Sequence, residues 1–206
     1  METYVAEKYP DVKFEVKEGH NTGDKDMTAA LLAVKNAGCD AMIGWTHAPE
    51  CAVMTRQYRE LGMDSIFFLG GPGWGMPGYH ALIDDNLVDG IWTITDFAKD
   101  NAEEETQKFL KAYKEKYGVE ADSFAAYYYD GARIALEALK LAKTMNREGF
   151  VAAMPGVKFE SVSGKIYLDT EHNMDFVHRV CTAEIKAANN VKTLTNVNFV
   201  TFYDEK

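Results

Sequence analysis

The sequence predicts an α/β fold: a three-layer lobe with a mostly parallel sheet, plus part of a second lobe. Three observations carry that prediction. Between residues 12 and 69, short apolar runs alternate with longer amphipathic stretches in a β-α-β-α-β rhythm, and strands of continuous apolar character mark a parallel sheet covered on both faces. Beyond about residue 150 the pattern changes to strands divided by turns, with no long helix. The 206 residues are 47% apolar and 12% aromatic, enough to fill a sizeable core, and the length fits one large domain or two small ones.

The elements follow in order. Residues 12–17 read V-K-F-E-V-K, a period-two alternation that predicts a strand with one wet face. Residues 19–26 form a turn in which Asp24 or Asp26 can cap a helix over 27–37, stopped by Gly38. Residues 41–43 are a short buried strand. A helix over 49–61 has Pro49 in its first turn and Gly62 past its end. Residues 66–69 are a buried strand that runs into the glycine-rich stretch 70–78, and residues 86–97 hold a further strand. Helices are predicted over 102–117, stopped by Gly118, and over 123–143. Strands follow at 158–160, 164–168, 180–187 and 196–203. A shift in composition near 119–122 marks a lobe boundary.

Several function classes are excluded. The net charge of −10, with no run of more than two basic residues, repels phosphate backbones and anionic lipid, so no nucleic-acid partner is expected. No apolar run approaches the roughly 20 residues of a membrane span. The three cysteines, Cys39, Cys51 and Cys181, show no CxxC spacing and read as small buried thiols. The run Asp169, Glu171, Asn173, Asp175 resembles the start of a calcium loop but lacks its glycine and closing acid. The five histidines have no metal spacing, and no serine sits in a nucleophile elbow. No catalytic residue, metal or cofactor is expected, and nothing in these residues argues for an enzyme. Asp130, inside a helix after three tyrosines, stays open between a structural carboxylate and a ligand contact.

In a wound parallel sheet, ligands bind in the loops at the carboxyl ends of the strands. Two loops hold that position: residues 44–50, with Trp45, Thr46 and His47, and residues 70–76, with Gly71, Gly73 and Trp74. Each offers an aromatic ring and small residues that let backbone amides approach a ligand. The helix beginning near Pro49 aims its N-terminus at the same rim, which suits a carboxylate. The second loop lacks both the P-loop ending and the GxGxxG spacing, which argues against a nucleotide.

The stretch G-H-N-T-G-D-K-D at 19–26, then residues 31–40, R-Q-Y-R-E-L-G at 56–62, residues 127–139 and G-K-I-Y-L-D at 164–169 resemble, in order and spacing, the branched-chain amino-acid substrate-binding proteins of ABC transporters, which are type I periplasmic binding proteins. The resemblance runs from about residue 12 to 185. It implies two Rossmann-like lobes around a trapped ligand. Residues 1–118 correspond to most of the second lobe, lacking its opening strand; residues 119–206 correspond to the return into the first lobe and the hinge crossings. The leading part of the first lobe has no counterpart. A fragment of this kind is expected to leave apolar surface open, or to regain its core as a homodimer.

The resemblance further implies ligand contacts at Trp45, Thr46, His47, Gly71, Gly73 and Trp74. It implies capture of an amino acid or a related small apolar or aromatic carboxylate or amide. It also implies ABC transporter membrane subunits as partners and a periplasmic or extracellular location. Pro72 stands where amino-acid binders usually carry an acid for the ligand's ammonium. The alternatives are a ligand-sensing regulatory domain of the same fold, or a truncated fragment that binds nothing.

Overall fold

The computed structural model describes residues 2–99, 102–162, 164–167 and 176–201. Helix α1 (Glu2–Lys8) buries none of its residues. Residues 12–20 then run without regular structure, contrary to the strand expected at 12–17. Val12 and Phe14 are exposed, and among the described residues no strand pairs with this segment. Alternation supplies a face, but a strand also needs a ladder partner for its backbone groups.

From residue 28 the alternating order holds: α2 (Thr28–Asn36), β1 (Ala41–Gly44), α3 (Ala48–Glu60) and β2 (Phe67–Gly70). Asp26 accepts the Thr28 amide at 2.9 Å, satisfying one of the donors that a helix start leaves unpaired. After β2 come a 3-10 turn (Pro72–Gly75), the single-turn α4 (Pro77–His80), a second 3-10 turn (Asp85–Leu87) and β3 (Ile91–Thr95). Helix α5 (Glu104–Tyr117) ends at Gly118, whose φ of 73° is the left-handed cap that glycine adopts without penalty. Helix α6 (Ser123–Leu141) is capped by Asp122, which accepts the Ala125 amide. Its chain leads into the short helix α7 (Arg147–Ala153), an element that the sequence reading missed. Four strands complete the chain: β4 (Lys158–Ser161), β5 (Gly164–Tyr167), β6 (Phe176–Ala188) and β7 (Val191–Thr201). The β6–β7 turn places Asn189 and Asn190 at φ 54° and 62°, the pair of left-handed residues a two-residue hairpin requires. The acidic run at Asp169, Glu171, Asn173 and Asp175, and the ends of the strands expected at 164–168 and 196–203, lie outside the described residues.

The strand order is β1-β2-β3-β6-β5-β4, with β7 on β6. Strands β1, β2 and β3 are parallel, and all later pairings are antiparallel. Strand β6 belongs to both parts of the sheet. Its residues 181–184 pair with β3, while residues 176–178 pair with β5.

The main core lies on one face of β1–β3, where Met42, Phe68 and Ile91 meet Leu31, Cys51, Met54, Tyr58, Trp74 and Tyr79. Side chains of this size each contribute about 1.5–3 kcal/mol when fully buried. Among the described residues the opposite face is only partly covered, contrary to expectation: Leu69, Trp92 and Ile94 are half-buried, but Ile43 and Phe67 are each 48% exposed, and the Phe67 ring tilts against Trp92 at 6.2 Å. A second cluster gathers Phe97, Phe109, Ala121, Ala126 and Val162 beside α5 and α6. Asp130 is buried and accepts the Val162 amide at 3.3 Å, which ties α6 to the chain after β4.

Candidate functional site

Strands β1 and β2 both end in glycine, and the reason is Trp74. A Cβ on Gly44 would stand 2.7 Å from the Trp74 ring, and one on Gly70 would stand 2.4 Å from it. The two glycines leave a slot beneath the loops that the indole fills completely, at 0% exposure. Its ring meets Phe68 edge-on at 5.3 Å. The indole N–H donates to Thr55 Oγ1 at 3.0 Å, and Thr55 Oγ1 lies 3.2 Å from the Tyr79 hydroxyl. Burial pushes the Tyr79 phenol up from its ordinary range. Trp74 was expected to present its ring to a ligand; instead the side chain is core, because an indole in a two-glycine slot gains more from packing than a loop surface offers.

Above this plug, residues 45–47 and 71–73 interlock. Gly71 donates its amide to the Gly44 carbonyl at 2.8 Å, and its own carbonyl accepts the Thr93 hydroxyl at 2.9 Å. Trp45 is 63% exposed, yet its ring lies directly over Gly71, where a Cβ would come within 2.8 Å. Gly73 presses against the Thr46 carbonyl, 2.4 Å from where a Cβ would sit, and against Cys51 Sγ. The Cys51 thiol faces the same carbonyl at 3.6 Å, and burial pushes its pKa up. His47 is exposed at the N-cap of α3, and its side chain caps no amide. The structure therefore brings Trp45, Thr46, His47, Gly71 and Gly73 to one rim and places Trp74 underneath it.

The α3 N-terminus serves this rim less than its sequence implied. Pro49 contributes no amide hydrogen, and Glu50 turns its own carboxylate onto the helix start. Glu50 is 4% exposed, accepts the Gly23 amide at 2.6 Å, and also accepts its own. These bonds hold its carboxyl below the usual range. The negative charge thus faces inward, toward residues 21–24, and compensates the helix dipole that was expected to favour a ligand carboxylate.

Three further residues support the rim. Thr93 was passed over because it lies inside β3; its signal was the strand-end rule applied to a third strand. Met76 Sδ accepts the Ser123 hydroxyl at 3.4 Å, fastening the second loop to α6. Tyr127 donates to Asp96 just past the end of β3, and burial raises its phenol pKa. Among the described residues, no three His, Cys, Asp or Glu side chains converge as a metal set, and no helix is long and apolar enough to cross a membrane.

Parallel strands ending in interlocked glycine loops, with an exposed indole at their carboxyl ends, are the layout of an α/β ligand-binding lobe. Residues 2–190 match a family model described as periplasmic binding protein, and the chain belongs to that family. Its relatives include the leucine-, isoleucine-, valine-, threonine- and alanine-binding protein of Pseudomonas aeruginosa. That protein is 24% identical over 80% of this chain and 44% of its own length. The crystal structure of a leucine binding protein, LivK, from Thermotoga maritima superposes with a TM-score of 0.80 and 26% identity, over 95% of this chain and 55% of that one. LivJ from Streptococcus pneumoniae, in complex with isoleucine, gives 0.72 and 24% over 88% and 50%. A solute binding protein from R. palustris, in complex with benzoate, gives 0.69 and 19% over 90% and 50%. The chain spans about half the length of these proteins. Their likeness fixes the fold as that of the type I periplasmic binding proteins.

Proposed function

We propose that this lobe captures a small organic solute on the loops that follow β1 and β2, as the solute-binding component of an ABC importer. The observation that carries the reading is Trp45, a large apolar ring held in solvent across Gly71 at the carboxyl end of the parallel strands. Keeping an indole there costs hydration and gains little packing, so its use lies in a contact made by binding. Thr46, His47, Gly71 and Gly73 line the same rim with backbone and small side chains, and Trp74 holds the rim from beneath.

The solute class is an amino acid or a related small apolar or aromatic carboxylate or amide. Supporting this are the named ligands of the relatives, branched-chain amino acids in some and benzoate in another. In this reading residues 1–118 are the second-lobe unit that carries these loops, and residues 119–206 are the helix and strands that return to the first lobe and the hinge. The partners are the transporter's membrane subunits, and the place of action is periplasmic or extracellular.

The test is thermal denaturation against branched-chain and aromatic amino acids, aromatic carboxylates and short aliphatic amides. A solute at 100 times its Kd adds about 2.7 kcal/mol, which raises the midpoint by roughly 5–10 °C for a chain of this size. Trp45→Ala removes that shift without lowering the unliganded midpoint. A cooperative melt that no solute moves, or a shift that survives Trp45→Ala, refutes the site.

A further inference from the structure

The third parallel strand brings a charge to the rim that the two glycine loops lack. In the sheet register Gly44 lies beside Gly70, and Gly70 beside Thr93. Trp45, Gly71 and Ile94 therefore stand abreast on one face of the sheet, and Asp96 follows two places beyond Ile94, just past the end of β3. The carboxyl end of a parallel strand is where a wound sheet receives ligands. The Trp45 ring lies over Gly71, on the β3 side of its own strand. Two strand spacings, about 9–10 Å, separate β1 from β3, a gap that one small solute can bridge.

Asp96 is half-buried and is held by a hydroxyl, not by a cation. Its Oδ1 accepts the Tyr127 phenol. One turn earlier on α6, the Ser123 hydroxyl donates to Met76 Sδ at 3.4 Å, so the same helix turn joins Asp96 to the loop after β2. Gly75 of that loop rests on β3: a Cβ there would lie 3.5 Å from Thr93 Oγ1 and 3.7 Å from the Thr95 Cβ. Among the described residues no lysine, arginine or histidine pairs with Asp96. Its charge is felt by its neighbours. Burial first, and Asp96 second, raise both the Tyr127 phenol and the Cys181 thiol, the thiol to about 12. A carboxylate removed from water without a cation pays a desolvation cost that a positive group would offset.

We propose that Asp96 selects the solute: its carboxylate receives an ammonium group while the solute's apolar part lies against Trp45. This rests on the reading of the rim as the solute site, and it narrows the solute class to amino acids and related amines. Tyr127 is a positioning residue, whose hydroxyl fixes one carboxylate oxygen and leaves the other for the ammonium. Such a hydrogen bond is charge-assisted on both sides, and partial burial strengthens it over an exposed ion pair. A deamino acid brings a second negative charge to the same rim with nothing to offset Asp96.

Isothermal titration with two matched pairs tests this: L-leucine against 4-methylpentanoate, and L-phenylalanine against 3-phenylpropanoate. At least one amino acid saturates the wild-type chain and binds about tenfold or more tightly than its deamino partner. Asp96→Asn keeps the shape and removes the charge. It weakens the amino acid about tenfold or more, and the deamino acid binds as well as before or better; a carboxylate with a structural role alone would weaken both members alike. Thermal melts verify the fold, and Asp96→Ser takes its place if Asp96→Asn does not fold. Binding of a deamino acid with no preference for its amino partner overturns the role of Asp96 and leaves the rim reading standing. So does a variant that keeps the wild-type preference or weakens both members alike. No saturation by any of the four also overturns it, and the wider solute panel then judges the rim on its own.

Discussion

Gly73→Ala separates close packing from ligand contact at the rim. The added Cβ would sit 2.4 Å from the Thr46 carbonyl oxygen and 2.7 Å from Cys51 Sγ. A carbon–oxygen contact needs roughly 3.3 Å, so the two loops must part by about 0.9 Å. Neither obstacle gives way easily, since one is backbone and the other a fully buried side chain. Overpacking of this kind costs about 1–3 kcal/mol, or a fall in Tm of roughly 2–12 °C for a chain of this size. Gly71→Ala is the matched control. Its Cβ would meet the Trp45 ring at 2.8 Å and the Gly44 carbonyl at 3.4 Å. The ring is exposed and can swing into solvent, so the stability cost stays within about 1 kcal/mol. Differential scanning calorimetry of both variants distinguishes the two cases. Equal midpoints, or a Gly73→Ala protein that melts with wild type, would show that the loops do not interlock as described.

Three other outcomes follow from the same geometry. Trp74→Ala empties the slot between Gly44 and Gly70 and lowers stability by about 3–5 kcal/mol, whereas Trp45→Ala changes the chemical-denaturation midpoint very little; a reversed ranking would exchange their roles. His80 Nε2–H donates to the Trp74 carbonyl at 3.0 Å, and burial pulls its pKa down to about 4 from 6.5. Between those values the unfolded chain binds a proton that the folded chain refuses. The stability due to neutral His80 is therefore complete above about pH 6.5 and is lost as pH falls toward 4, by at most about 3 kcal/mol. His80→Gln flattens that part of the stability-versus-pH curve, and an unchanged slope would remove His80 as its source. Glu50→Ala releases the Gly23 amide, so hydrogen exchange at residues 21–24 accelerates while the β2 amides keep their protection; equal rates at Gly23 would mean the carboxylate does not hold that loop.

Much of the molecule was legible in the residues themselves. Helical spacing located α2, α3, α5 and α6 within a few residues, because a helix closes its hydrogen bonds within its own segment and needs only an amphipathic face. Continuous apolar runs located β1 and β2, and the strand-end rule pointed to the two loops that meet at the rim. The alternation at residues 12–17 misled because a strand's bonds belong to its neighbour, and sequence does not say whether a neighbour is present. Trp45 and Trp74 are the sharpest contrast. Both are indoles in glycine-bearing loops after parallel strands, and composition treats them alike. Only the tertiary structure decided that Gly44 and Gly70 open a slot for one, with Thr55 to receive its N–H, while the other lies over Gly71 in solvent. The physical reason is that a side chain's fate depends on the empty volume and hydrogen-bond partners that distant segments supply. Those are settled when β1, β2 and α3 pack together, not along the chain.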